Sequence, residues 1–195
     1  MTIDITIQPD AAQLGVVFNT QSFGSQLSGA KQFKELPGSK WVGSFTWSNR
    51  QGLDARTLTA QLTGLRGMIE YFRILPPDHE GLGTALGSGV VNGADQTGDS
   101  IITDGWTINQ PILLEIGDYI EINGELKRVT DRVASDGAGN ATIPFQPPIR
   151  KSPANNSAVI TVEPKMTMRL TSPVNQASLS APVIYAVSIE AEEVV

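Results

Sequence analysis

The chain has no cysteine and a single histidine among its 195 residues. It can therefore form no disulfide and no thiolate metal site, and it has no Cys nucleophile. That usage suits folding in a reducing cytoplasm. Clustered positive charge is missing too. Fourteen Lys and Arg stand against 20 Asp and Glu, a net charge of −6. Phosphate binding needs clustered Lys and Arg, so a nucleic-acid grip is not expected, nor is docking on an anionic membrane. No apolar run approaches the ~18 residues that span a bilayer. The opening MTIDITIQPD lacks a basic segment followed by an apolar one, so no secretion signal is expected. Apolar residues are not scarce. At 40% they can build a core for one large domain or two small ones.

The patterning is mostly that of strands. TIDITI (2–7) places Ile3, Ile5 and Ile7 on one face. GVVFN (15–19) reads as a second strand. WVGSFTW (41–47) puts Trp41, Gly43, Phe45 and Trp47 on one side and Val42, Ser44 and Thr46 on the other, which marks a core strand. One segment differs. Leu58, Leu62, Leu65 and Ile69 form a helical stripe, and the spacing predicts a helix over 53–66. Asp54 sits at its start, and Gly67 suits a left-handed end. MIEYFRIL then reads as a strand that stops at Pro76-Pro77.

Residues 81–105 are glycine-rich and weakly periodic, and a long polar loop is expected there, with at most a short strand at Val90-Val91. Strand patterning resumes at Trp106. Asn123-Gly124 is a strong turn signal. Cross-strand pairing favours a three-residue loop, Asn123 to Glu125, which sets Ile122 opposite Leu126, Glu121 opposite Lys127 and Tyr119 opposite Val129. ATIPF follows the turn SDGAGN and is expected to end at Pro147-Pro148. AVITVE (158–163), KMTMRLT (165–171) and VIYAVSIEAEEV (183–194) supply the last strands.

Chemistry is hard to place on these residues. His79 is flanked by Asp78 and Glu80 in a loop, but no G-x-S-x-G marks a serine nucleophile. The acids are scattered through turns or alternate with bases, unlike a glycosidase pair. DGAGNAT (136–142) lacks the ligand spacing of a calcium loop and reads as a turn. GLGTALGSG (81–89) has no lysine after its glycines and no strand-to-helix setting for a phosphate loop. Arg66, Arg73, Arg128, Arg132 and Arg150 read as surface charge or subunit contacts. No catalytic, cofactor-binding or metal-ligating residue is assigned, and no enzyme activity or cofactor is expected.

Two stretches carry a resemblance. KWVGSFTWSNRQGLDARTLTAQLTGLRGMIEYFRI (40–74) holds an aromatic strand, a helix ending in L-R-G and a strand with F-R. The second holds G-D-x-I-x-I, a turn, R-V, D-G-A-G and P-P-I-R, ending at Arg150. In this order they resemble distal tail or baseplate-type proteins of long-tailed bacteriophages, over about half the chain. The resemblance implies a mainly β fold: a β-sandwich or split barrel with one helix packed on it and an inserted small β-barrel. Residues 1–80 with 165–195 would build the ring-forming part, and 106–164 the inserted barrel. It implies a structural virion protein, assembled in the host cytoplasm. Copies form a ring, commonly a hexamer, between the tail tube protein and the tail hub or tip proteins. DNA would pass through the lumen without specific binding, since an acidic wall repels phosphate. A major tail tube protein, a carbohydrate-binding module and a cell-wall hydrolase are the rival readings. Exposed aromatics would favour the sugar-binding one.

Overall fold

The computed structural model describes residues 2–85, 87–173, 177–180 and 184–194. The elements run β1 (Thr2–Asp4), β2 (Ala11–Val17), β3 (Thr20–Gly24), β4 (Lys31–Glu35), β5 (Lys40–Arg50), α1 (Gly52–Gly64) and β6 (Tyr71–Ile74). They continue with β7 (Gly87–Val91), β8 (Gly98–Trp106), β9 (Tyr119–Ile122), β10 (Glu125–Val129) and β11 (Ala141–Ile149). The last are β12 (Val159–Ile160), β13 (Met166–Leu170), β14 (Ala177–Ser180) and β15 (Ile184–Glu193). Among the described residues the fold is mainly β with one helix.

Seven strands form the body. Their order is β1-β6-β13-β15-β5-β2, with β14 also on β15. β1 and β2 are consecutive in sequence yet lie at opposite edges, joined by residues 5–10 alone. Such a segment spans at most ~25 Å, and five strand gaps of ~4.8 Å cover as much on a flat sheet. The segment is not fully extended, so the sheet curls toward a split barrel. Residue 7 crosses the core: the Trp47 indole N–H donates to the Ile7 carbonyl at 2.8 Å. Ile5, Trp41, Phe45, Trp47, Phe72 and Met168 fill the concave side.

α1 closes that side with Ala55, Leu58 and Leu62, and Leu65 just past its end is fully buried. The expected stripe stops there. Ile69 is 61% exposed, because Arg66 and Gly67 both take positive φ and turn the chain away. A Cβ on Gly67 would meet the Pro173 carbonyl at 2.9 Å, so glycine is required. Asp54 lies in the first turn, but no side chain caps the helix start.

The second body is a six-stranded sheet, β12-β9-β10-β11-β8-β7. It nearly closes on itself, since Val90 bridges to Ala158 and the Val91 amide donates to Ser157. Ile101, Ile120, Ile143, Phe145 and Leu113 form its separate core. The expected polar loop at 81–105 is overturned here: β7 and most of β8 lie in that range. Their glycines let strands cross closely. A Cβ on Gly89 would overlap the Trp106 ring at 1.9 Å. Glycine richness, which reads as loop, is here a packing requirement.

Two more expectations are corrected. The β9–β10 turn has two residues, Asn123 and Gly124, both at positive φ as a type I′ turn requires. Ile122 therefore faces Glu125, Glu121 faces Leu126, Ile120 faces Lys127 and Tyr119 faces Arg128. β11 also does not stop at Pro147-Pro148 but runs on to Ile149. The prolines interrupt its ladders: the pairing with β10 reaches only Gln146, and the register with β8 shifts between Pro144 and Ile149. The final strand was expected to begin at Val183, which lies outside the described residues.

Candidate functional site

The two bodies meet along the β9–β10 hairpin, which is buried on both faces except at Arg128 and the turn. One face, with Ile120, Ile122 and Val129, belongs to the barrel core. The other, with Tyr119 and Leu126, belongs to the core of the curled sheet. A two-residue turn forces this division, because Glu125 and Lys127 then share the inner face with Ile120 and Ile122.

Those two charges are paired. Lys127 Nζ lies 2.5 Å from a Glu125 carboxylate oxygen and donates to the Pro148 carbonyl at 2.8 Å. The ammonium also sits 5.8 Å from the centre of the Phe145 ring. Burial lowers the Lys127 pKa, opposed by the Glu125 charge. The Glu125 carboxylate accepts two further N–H bonds, from Arg150 and Lys151. The prolines that seemed to end β11 thus supply an acceptor for a buried lysine.

Glu193, near the end of β15, ties the bodies together. Its carboxylate accepts the Leu126 N–H at 2.9 Å and the Trp41 N–H at 3.3 Å. Arg150 approaches it to 2.8 Å. Burial pushes the Glu193 pKa up, and Arg150 pulls the other way. The Trp41 indole donates to the Leu126 carbonyl at 2.9 Å, and its ring tilts against Tyr119 at 6.0 Å. On the far side Glu121 accepts from Arg73 at 2.7 Å and from the Lys165 amide at 2.9 Å. Glu121 was expected to pair with Lys127; it pairs across the junction instead. Burial and the nearby Asp78 charge push the Tyr119 pKa up to about 12. These groups hold one another and form the joint between the two bodies.

The residues weighed for chemistry lie apart. His79 makes a local bond, its ring Nδ1 lying 2.9 Å from the Pro76 carbonyl. It borders a shallow depression of about 360 Å³ with Glu80 and Glu163. Among the described residues no group of three His, Asp or Glu side chains is placed to hold a metal ion. In DGAGN the Asp136 carboxylate accepts the amides of Ala138 and Asn140 at 2.8 Å, which closes a turn. The Asn140 side-chain amide, which also donates to Asp136 at 3.0 Å, and then those backbone amides lower the Asp136 pKa. In GLGTALGSG the Leu82 and Gly83 amides donate to Asp118, at 2.7 and 2.9 Å. A carboxylate of the chain itself sits where a phosphate would bind. The arginines divide: Arg150 and Arg73 serve the joint, Arg132 reaches Glu115 at 2.7 Å, and Arg128 and Arg66 make longer surface pairs.

A second feature escaped the sequence reading. β3 and β4 form a separate two-stranded ribbon in which all ten residues are exposed. It continues the β2–β5 pair outward, after a kink at residues 36–39 held by the Asn19 side chain and the Pro37 carbonyl. Phe23 is 56% exposed, Phe33 69% and Leu27, in the tip, fully. The signal in the sequence was large apolar residues placed singly in a Ser, Gln and Gly-rich stretch. Among the described residues no helix is long and apolar enough to cross a membrane. Compared with family models and with curated proteins, the chain matches none.

Proposed function

We propose that this chain is a structural virion protein of a bacteriophage tail. Copies form a ring, six by the resemblance, that joins the tail tube to the hub at the tail tip. DNA passes through the ring without specific binding.

The observation that carries this reading is the joint. The two stretches that resemble tail proteins, 40–74 and 106–150, supply its opposing halves: Trp41 and Arg73 on one side, Glu121, Leu126 and Arg150 on the other. Residues of those motifs are spent on holding two β bodies in fixed orientation, as a building block needs. The rival readings draw less support. Trp41, Trp47 and Trp106 are 3%, 0% and 5% exposed, so no tryptophan offers a ring for a sugar to stack on, and the exposed Phe23 and Phe33 rings point to opposite faces of their ribbon and share no stacking surface. Asp118, Glu121, Glu125 and Glu193, the buried carboxylates among the described residues, are engaged with cations and amides rather than open to a cleft.

Negative-stain microscopy with mass measurement of the purified chain tests the proposal. Isolated rings with six-fold symmetry are expected. Stacked tubes would reassign the chain as the tail tube protein. A monomer at every concentration would sink the reading.

A further inference from the structure

We infer that the β3–β4 ribbon is an arm that docks onto the outer sheet face of a second copy of this chain, joining its neighbours one after another. The inference rests on the self-assembly part of the function proposed above and adds the contact that performs it.

The ribbon is out of place on a lone molecule. A two-stranded hairpin without a covered face is marginal in water. The register sets Phe23 across from Gln32 and Phe33 across from Ser22, so the two aromatics point to opposite faces. Each face carries one aromatic and one lysine, Lys31 beside Phe33 and Lys34 beside Phe23. The tip adds Leu27. An arm apolar on both faces fits between surfaces, and its own body covers neither.

Charge selects the partner. The chain is net −6, yet the ribbon bears two lysines against one acid, Glu35, which lies at its root within 3.5 Å of the Ser39 hydroxyl. A basic arm on an acidic chain is complementary to other copies of that chain.

The curled sheet offers the acceptor. Along its β2, β5 and β15 rows small uncharged residues, Gly15, Ser44, Thr46, Ala186 and Ser188, face outward, with the Lys40–Glu192 pair at one end. Glu190 stands exposed beside them, on the rim of a depression of about 430 Å³. A floor of small side chains admits aromatic rings, and Glu190 meets the arm lysines. Arm-to-face contact is heterologous, the class of contact whose repetition makes a ring when its rotation closes.

The test uses the full chain and sedimentation velocity. Wild type is expected to be oligomeric. The triple variant Phe23→Ser, Leu27→Ser, Phe33→Ser is expected to be monomeric with an unchanged circular dichroism spectrum. Reversing the arm (K31E with K34E) or the face (E190K) should each weaken association by about tenfold or more. Mixing the two reversed chains should restore it, since each arm then meets an opposite charge on the other chain. A triple variant that keeps the wild-type oligomer overturns the arm and leaves the ring standing. A monomeric wild type overturns both. Reversed chains that fail to complement, beside a monomeric triple variant, overturn the outer face as acceptor.

Discussion

Two hairpins in this molecule have five or fewer residues per strand and opposite fates. β9–β10 is packed on both faces; β3–β4 is packed on neither. Each carries charges among apolar residues. In the first, the charges are taken out of water and must be paired: Lys127 with Glu125, Glu121 with Arg73. In the second, two lysines and two phenylalanines stand in solvent. Charges set among apolar residues therefore do not tell a core strand from an arm. What differs is whether other elements arrive on each side.

The sharpest way to break this contrast is to remove charge from the buried hairpin. Lys127→Met leaves Glu125 buried with fewer partners, and a loss of about 3–5 kcal/mol is expected in urea unfolding. Adding Glu125→Gln keeps an acceptor for the Arg150 and Lys151 amides and should recover most of that loss. A double variant no more stable than the single one would show that the pair is not the main determinant. Trp41→Phe deletes the indole donor and strands the Leu126 carbonyl; about 1–3 kcal/mol should be lost, read by the same unfolding curves.

The joint should also leave a trace in pH dependence. Glu193 has a raised pKa in the folded state, so folding favours its neutral form. Its effect on stability is then most favourable below the ordinary value of 4.5 and declines as pH rises through the folded pKa. Glu193→Gln should flatten that decline, as measured by melting temperature against pH. An unchanged slope would assign the decline to other groups. The smallest effect belongs to the exposed hairpin. The triple variant at Phe23, Leu27 and Phe33 should alter monomer stability by no more than about 0.5 kcal/mol, because Leu27 is fully exposed and more than half of each phenylalanine is already in solvent. A larger drop would mean that the ribbon packs on its own body.

Much of the fold was legible from residue order. The Trp41–Trp47 strand, the helix near 53–66 and the Asn123-Gly124 turn follow from periodicity and from the φ preferences of Asn and Gly. Three things were not. The strands inside 81–105 were hidden because Gly89 and its neighbours are small for close crossing, which looks the same as small for a loop. The hairpin register was misjudged because pairing opposite charges and like apolar groups assumes one wet face. This hairpin has two dry ones, so an inward Glu125–Lys127 pair is tolerable. The ribbon at 20–35 was overlooked because its apolar residues are isolated and reward no core.

By itself, the sequence determined the mainly β class, the single helix, the tight turns and the absence of thiol chemistry, since each depends on local backbone preference or residue type. The tertiary structure alone decided which of two charge-bearing hairpins is buried. It also decided that Glu193 and Arg150 meet across the joint, and that Asp118 fills the glycine loop. Those outcomes depend on segments far apart in the chain arriving side by side, and local pattern carries no record of that.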